Sequence, residues 1–164
     1  MKLNLRKIIE VPGGRVPFSC VLSANGLEHP SIVAYDGPLI AEGAVVNTAG
    51  TLTIEGEIRA KFRCVCDRCG MLFDREKTVT VNAGIAVDES EEDLFQMEED
   101  EIDLDEILYT CFVLDMDAKV LCRPDCKGLC AGCGANLNEE ACTCKKEIDP
   151  RWAVLEQLLD KTEN

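Results

Sequence analysis

Histidine is nearly missing from this sequence, which has one, His29, among 164 residues. A catalytic zinc site keeps one position open to water and usually includes histidine or carboxylate ligands. His29 sits in a Pro-flanked loop far in sequence from the cysteines, and a surface or loop-packing role is its expected use. No run of 18 or more apolar residues occurs, so nothing reads as a membrane span. The opening MKLNLRKIIEVPGG lacks the apolar stretch and small-residue cleavage site of a secretory signal, and a cytoplasmic protein is expected. There is no Ser/His/Asp set, no glycine loop that would cradle phosphate, no convincing carboxylate pair and no internal repeat. A catalyst is not expected. From Asp88 to Asp117 there is no Lys or Arg against fourteen acids, and the other 17 acids are balanced by the 17 bases. The net charge of −14 therefore belongs to one segment. Phosphate binding needs clustered positive charge, so a large nucleic-acid footprint is disfavoured. The acidic run reads as a solvated stretch, or as a docking surface for a basic partner.

Cysteine, by contrast, is abundant, with eleven in the chain. In a reducing compartment clustered thiols are more often metal ligands than disulfides, and an odd number would leave one thiol unpaired. Cys66-Asp-Arg-Cys69-Gly has the two-residue gap used by zinc sites, with glycine relieving a tight turn. A redox pair would stand at a helix start after a strand, whereas this one lies between two strands. Cys122, Cys126, Cys130 and Cys133 fall within twelve residues, and Cys142-Thr-Cys144 follows. So polar a stretch cannot bury six thiols as ordinary core, and a module this small usually needs a metal to fold. Zinc takes four ligands, which favours two ions. One would join Cys66 and Cys69 to Cys122 and Cys126, stapling the module to the sheet. The other would use Cys130, Cys133, Cys142 and Cys144. Spacing also allows Cys122, Cys126, Cys130 and Cys133 as one set. Cys126, Cys130 and Cys133 match the spacing of radical enzymes that bind an iron–sulfur cluster and S-adenosylmethionine, but this chain has neither the length nor the βα units for their barrel. A plain iron–sulfur protein is a further alternative. Cys64 and Cys111 read as buried apolar thiols, and Cys20 is uninformative.

The expected fold is α+β: an antiparallel sheet or partial barrel, one packed amphipathic helix and a C-terminal cysteine-rich zinc module. Residues 1–118 would form the β-rich domain and 119–164 the module. Strands are expected at 2–10 and 15–22, with Pro17 weakening the second, and 23–38 reads as loop. Leu39–Asn47, Thr51–Arg63 and Thr78–Val87 should form an antiparallel meander, with Leu52, Ile54, Ile58, Ala60 and Phe62 on the core face. The acidic stretch 88–102 reads as mobile loop. Asp103 is the expected cap of a helix whose stripe is Leu104, Ile107, Leu108, Cys111 and Phe112. A second helix should start at Asp149 and Pro150, with Trp152, Leu155, Leu158 and Leu159 as its apolar face.

The chain resembles the YceD family, bacterial proteins named for large-subunit ribosomal RNA accumulation. The resemblance rests on Cys66-Asp-Arg-Cys69-Gly and on the acidic stretch leading to Ile102-Asp-Leu-Asp-Glu. It continues through Cys126-Lys-Gly-Leu-Cys130-Ala-Gly-Cys133-Gly-Ala-Asn-Leu-Asn138, Cys142-Thr-Cys144 and Asp149-Pro-Arg151. It covers residues 50–160 well and the first 50 loosely. It implies a non-enzymatic role in large-subunit biogenesis, supporting accumulation or processing of ribosomal RNA. The implied partners are ribosomal proteins or assembly factors, with ribosomal RNA contacted directly or indirectly and no membrane or small-molecule substrate. Arg123, Lys127, Lys145, Lys146 and Arg151 would give the module a basic surface beside the acidic segment. A zinc-ribbon adaptor unrelated to ribosomes and an accessory RNA-modifying or nucleolytic enzyme are the competing readings.

Overall fold

The computed structural model describes residues 1–24, 27–86 and 94–144. The chain divides into two compact units, Met1–Asp67 with Met71–Cys122, and Arg68–Gly70 with the chain from Arg123 onward.

Among the described residues the first unit is mostly sheet with one helix. In chain order it contains β1 (Lys2–Asn4), β2 (Arg15–Leu22), β3 (Ile32–Tyr35), β4 (Leu39–Thr48), β5 (Thr51–Val65), β6 (Leu72–Ala86), β7 (Phe95–Gln96), β8 (Glu101–Asp103) and α1 (Leu104–Leu114). The expected meander is present, β4 running antiparallel to β5 and β5 to β6. Ala49 and Gly50, at φ 55° and 99°, join β4 to β5. Two consecutive positive φ values match the twist of a tight hairpin. β2 extends the sheet beyond β4, β7 lies parallel to β6, and β3 pairs with the far end of β5. Among the described residues the sheet stays open, with β2 and β7 at its edges, and Pro17 lies inside edge strand β2 opposite Ala44.

The core follows from period two. Leu52, Ile54, Ile58, Ala60, Phe62 and Cys64 of β5 are all buried, and only Gly56 interrupts the series. Gly56 stands directly opposite Gly43 of β4. A Cβ on Gly43 would lie 2.3 Å from the Glu55 carbonyl oxygen and 2.7 Å from the Gly56 Cα. One on Gly56 would lie 2.5 Å from the Glu42 carbonyl oxygen. The two backbones approach where no side chain separates them. Gly43→Ala should therefore force the strands apart and lower stability by about 2–3 kcal/mol. The urea midpoint reads this directly, and an unchanged midpoint would contradict it.

Helix α1 starts where the sequence places it, with Asp103 Oδ1 accepting the Asp105 N–H at 3.1 Å. Leu104, Ile107, Leu108 and Phe112 are buried, and Cys111 is half-buried against the same core. The Phe62 ring meets Phe112 and Tyr35 edge-on, at centroid distances of 6.2 and 5.9 Å. Beyond the helix, Arg75 pairs with Asp117, and Lys77 Nζ lies 2.8 Å from the Asp115 carboxylate.

Several expected boundaries move. The strand expected at 2–10 stops at Asn4, and β1 pairs with β8 in a separate ribbon. The Leu5 carbonyl instead accepts the Ile8 and Ile9 N–H groups, which turns the chain. Asn47, 1% exposed, donates to the Ile8 and Ile9 carbonyls at 2.7 and 2.8 Å and so fixes that turn to the sheet. β3 lies inside the region read as loop. β6 starts at Leu72 rather than Thr78, because charged residues mask its alternation. Across its added length Arg63 pairs with Asp74 at 2.8 Å and Lys61 with Glu76 at 3.6 Å. β7 and the start of β8 fall within the acidic stretch read as loop. The expected helix after Asp149 lies outside the described residues.

The described part of the second unit holds turns and one isolated bridge, Leu129 to Asn136. Gly128 and Gly134 take positive φ there, at 76° and 75°. Among the described residues no helix is long and apolar enough to cross a membrane.

Candidate metal centres

The long β5–β6 ladder ends at Val65 and Leu72 and leaves Cys66–Met71 as its loop. The Cys66 N–H donates to the Met71 carbonyl at 2.9 Å, and Gly70 turns the chain at φ 68°. Asp67 holds the chain that leads to Cys122: its N–H donates to the Val120 carbonyl at 2.9 Å, and its Oδ2 accepts the Val120 N–H at 2.6 Å. Ser31 Oγ donates to its other oxygen at 3.2 Å. Arg68 does the same for the chain after Cys122. Its Nη1 donates to the Cys126 carbonyl at 2.9 Å, and its own carbonyl accepts the Leu129 N–H at 3.1 Å. A Cβ on Gly128 would come within 3.0 Å of that carbonyl oxygen.

The eight predicted ligands gather into two groups of four. Cys122 and Cys126 lie with Cys66 and Cys69, and Cys130 and Cys133 lie with Cys142 and Cys144; within each group all sulfurs are within 4.8 Å of one another. Among the described residues these are the groups of His, Cys, Asp and Glu that could hold a metal ion. A zinc ion about 2.3 Å from each of four sulfurs sets them roughly 3.8 Å apart at the corners of a tetrahedron, a separation inside the 4.8 Å span of both groups. In the first group Cys66, Cys69 and Cys126 are buried and Cys122 is half-buried. In the second, Cys130 and Cys142 are half-buried and Cys133 and Cys144 exposed.

In the second group the Cys130 and Cys142 sulfurs are 3.1 Å apart, and those of Cys133 and Cys142 3.6 Å, well beyond a disulfide bond. The Gly132 N–H points at Cys130 Sγ from 3.4 Å and the Cys144 N–H at Cys142 Sγ from 3.2 Å. Such N–H groups stabilise thiolate. The backbone N–H of Cys133, with the Cys142 thiol, draws the Cys130 thiol down to about 6. Cys133 and Cys142 push Cys144 up to about 12. One thiol ionises readily and the last resists, because hydrogen bonds to the Cys133 and Cys142 sulfurs hold its proton and their charge adds to the opposition. A divalent cation relieves that opposition.

The remaining thiols differ. Cys64 is buried, Cys20 and Cys111 are half-buried, and burial raises the pKa of all three. His29 accepts the Ser31 N–H at Nδ1, 3.2 Å away, and is not part of either group. Sequence reasoning missed Asp67, Arg68 and Asn138. Asn138 receives the Lys127 N–H and Arg123 Nη2 at its Oδ1, both at 2.8 Å. It donates from Nδ2 to Asn136 Oδ1 at 2.8 Å and to Cys126 Sγ at 3.4 Å. The signal available was position: two of these residues separate Cys66 from Cys69, and the third ends the Asn-Leu-Asn run.

Curated relatives include an uncharacterized protein of Mycobacterium tuberculosis, 37% identical over 45% of this chain and 37% of its own length. An uncharacterized protein of Mycobacterium leprae is 27% identical over 84% of this chain and 66% of its own length. A Zea mays protein named large ribosomal RNA subunit accumulation protein YCED homolog 1, chloroplastic, is 42% identical over 31% of this chain and 18% of its own length. The chain thus spans from under a fifth to just under two thirds of these relatives. No solved structure matches. The family model described as large ribosomal RNA subunit accumulation protein YceD matches residues 54–159, more than half of the chain and all eight clustered cysteines. This chain belongs to the YceD family.

Proposed function

We propose that this protein is a non-enzymatic, cytoplasmic factor that supports accumulation or processing of large-subunit ribosomal RNA, with two structural zinc ions shaping its surface. The observation that carries the reading is the pairing of family membership with two complete four-sulfur groups. Four thiolates fill the tetrahedral shell of zinc and leave no position for a reacting water, which suits a structural ion. The Zea mays relative carries the ribosomal RNA accumulation name, and the same role is assigned here by kinship. Its partners are ribosomal proteins or assembly factors of the large subunit, with ribosomal RNA reached directly or through them. The test is co-sedimentation of the full chain with large-subunit precursor particles. Free protein at the top of the gradient, with precursors intact, would reject the role.

The acidic segment supplies the recognition chemistry in this reading. Glu98 and Glu99 are exposed, and opposite charges across an interface act mainly on the rate and specificity of encounter. Glu98→Gln with Glu99→Gln should weaken capture of basic large-subunit proteins at low salt, the difference fading as salt screens the charges. Equal capture by both chains at low salt would remove the acidic segment from the proposal.

A further inference from the structure

Asn138 uses its whole carboxamide: two acceptances at Oδ1, from the Lys127 N–H and Arg123 Nη2, and two donations from Nδ2, to Asn136 Oδ1 and Cys126 Sγ. Its own N–H also donates to Asn136 Oδ1 at 3.1 Å. Reversing the amide would set like against like at three of these contacts, those to Lys127, Arg123 and Asn136. Its partners are selective. Arg123 follows Cys122 and Lys127 follows Cys126, so one side chain spans the loop between two ligands of the first group and touches the sulfur of one of them. Asn138 itself lies between Cys133 and Cys142, ligands of the second group. Backbone bonds pin that stretch on either side of Asn138: Cys130 N–H to Ala135, Gly134 N–H to Cys130 and Leu137 N–H to Gly128 at 2.8–2.9 Å, and Glu139 and Glu140 N–H to the Asn136 carbonyl at 3.0 Å.

We propose that Asn138 is the positioning residue that couples the two thiolate groups. A metal held by Cys130, Cys133, Cys142 and Cys144 closes the chain on both sides of Asn138. Closure sets its Nδ2–H on Cys126 Sγ and its Oδ1 on the Cys122–Cys126 loop. The first group then binds metal more tightly when the second is filled, and by linkage the second binds more tightly when the first is filled. An N–H donated to a ligating thiolate also withdraws charge from the sulfur, as partners beyond the ligands commonly do. The inference rests on the zinc reading above.

The test uses the full chain loaded with ¹¹³Cd in place of zinc, so that each four-sulfur site gives its own resonance, during competition with a chelator. Asn138→Ala and the near-isosteric Asn138→Asp should each lower the affinity of the Cys66 group about 10–100-fold and shift its resonance. The Cys142→Ser/Cys144→Ser chain, which lacks the second site, should show a similarly weakened first site, and adding Asn138→Ala to it should change little. Such non-additivity is the signature of a shared path. Wild-type affinity at both sites in both Asn138 variants would overturn the coupling. So would an equal loss from Asn138→Ala with and without the second site. Circular dichroism of the sheet separates misfolding from either result, and a misfolded Asn138→Ala chain leaves Asn138→Asp to decide. A wild-type chain that takes up no cadmium or zinc overturns the metal reading itself.

Discussion

Removal of metal from the intact chain should unfold residues 123–144 while the β5–β6 ladder persists. Of the described residues beyond Cys122, only Cys126 and Gly128 are buried. Ordering backbone costs about 1–2 kcal/mol per residue, and this segment has almost no apolar burial to set against it. Structural zinc in small cysteine modules contributes an apparent 10–16 kcal/mol or so, enough to offset that cost. The first unit has its own core around Phe62 and Phe112 and should therefore hold without the ion. Amide hydrogen exchange before and after chelation is the measurement. Protection in 123–144 should vanish and that in 52–64 remain; protection unchanged in 123–144 would mean the module folds without metal. Elemental analysis with thiol titration belongs beside it. Two zinc ions and three free thiols per chain are expected, the free ones being Cys20, Cys64 and Cys111, whereas one zinc and seven free thiols would reject two closed sites.

Phe62→Ala should be the most damaging single substitution in the sheet, costing about 3–5 kcal/mol. Phe62 is 1% exposed and carries the edge-on contacts to both Tyr35 and Phe112. Truncation removes the ring that ties β3 and α1 to β5. The surrounding backbone belongs to paired strands and cannot collapse into the space. Denaturant unfolding followed at the sheet should show the midpoint fall with little change in slope, and a loss below about 1 kcal/mol would show that the core refills. Phe62→Leu should recover much of the loss by keeping most of the volume.

Much of this fold was legible because period two and period 3.6 are strong signals where polar and apolar residues alternate cleanly, as in Thr51–Arg63 and Leu104–Phe112. Legibility failed where long-range pairing decided the outcome. β3 exists because β5 extends past the end of β4 and offers a free edge, which no local pattern in Ile32–Tyr35 announces. The turn at Leu5–Glu10 is captured by Asn47, about forty residues away. At the candidate site the ligand residues could be read from spacing, since cysteine pairs are rare and distinctive. The groups that orient them, Asp67, Arg68 and Asn138, are common polar residues whose use becomes visible only when their partners are in place.

The proline within β2 has a consequence for the protein at high concentration. Among the described residues β2 ends the sheet on one side, and an unguarded strand there would offer its N–H and C=O groups to the same strand of another molecule. Pro17 has no N–H to offer, so the outer rail carries a gap in its hydrogen-bonding row while the inner pairing to β4 runs from Arg15 to Leu22. Replacing that proline would complete the rail beside the exposed Val21 and Ile40 side chains. The residue that weakens the strand as a sequence signal thereby guards the molecule against edge-to-edge aggregation.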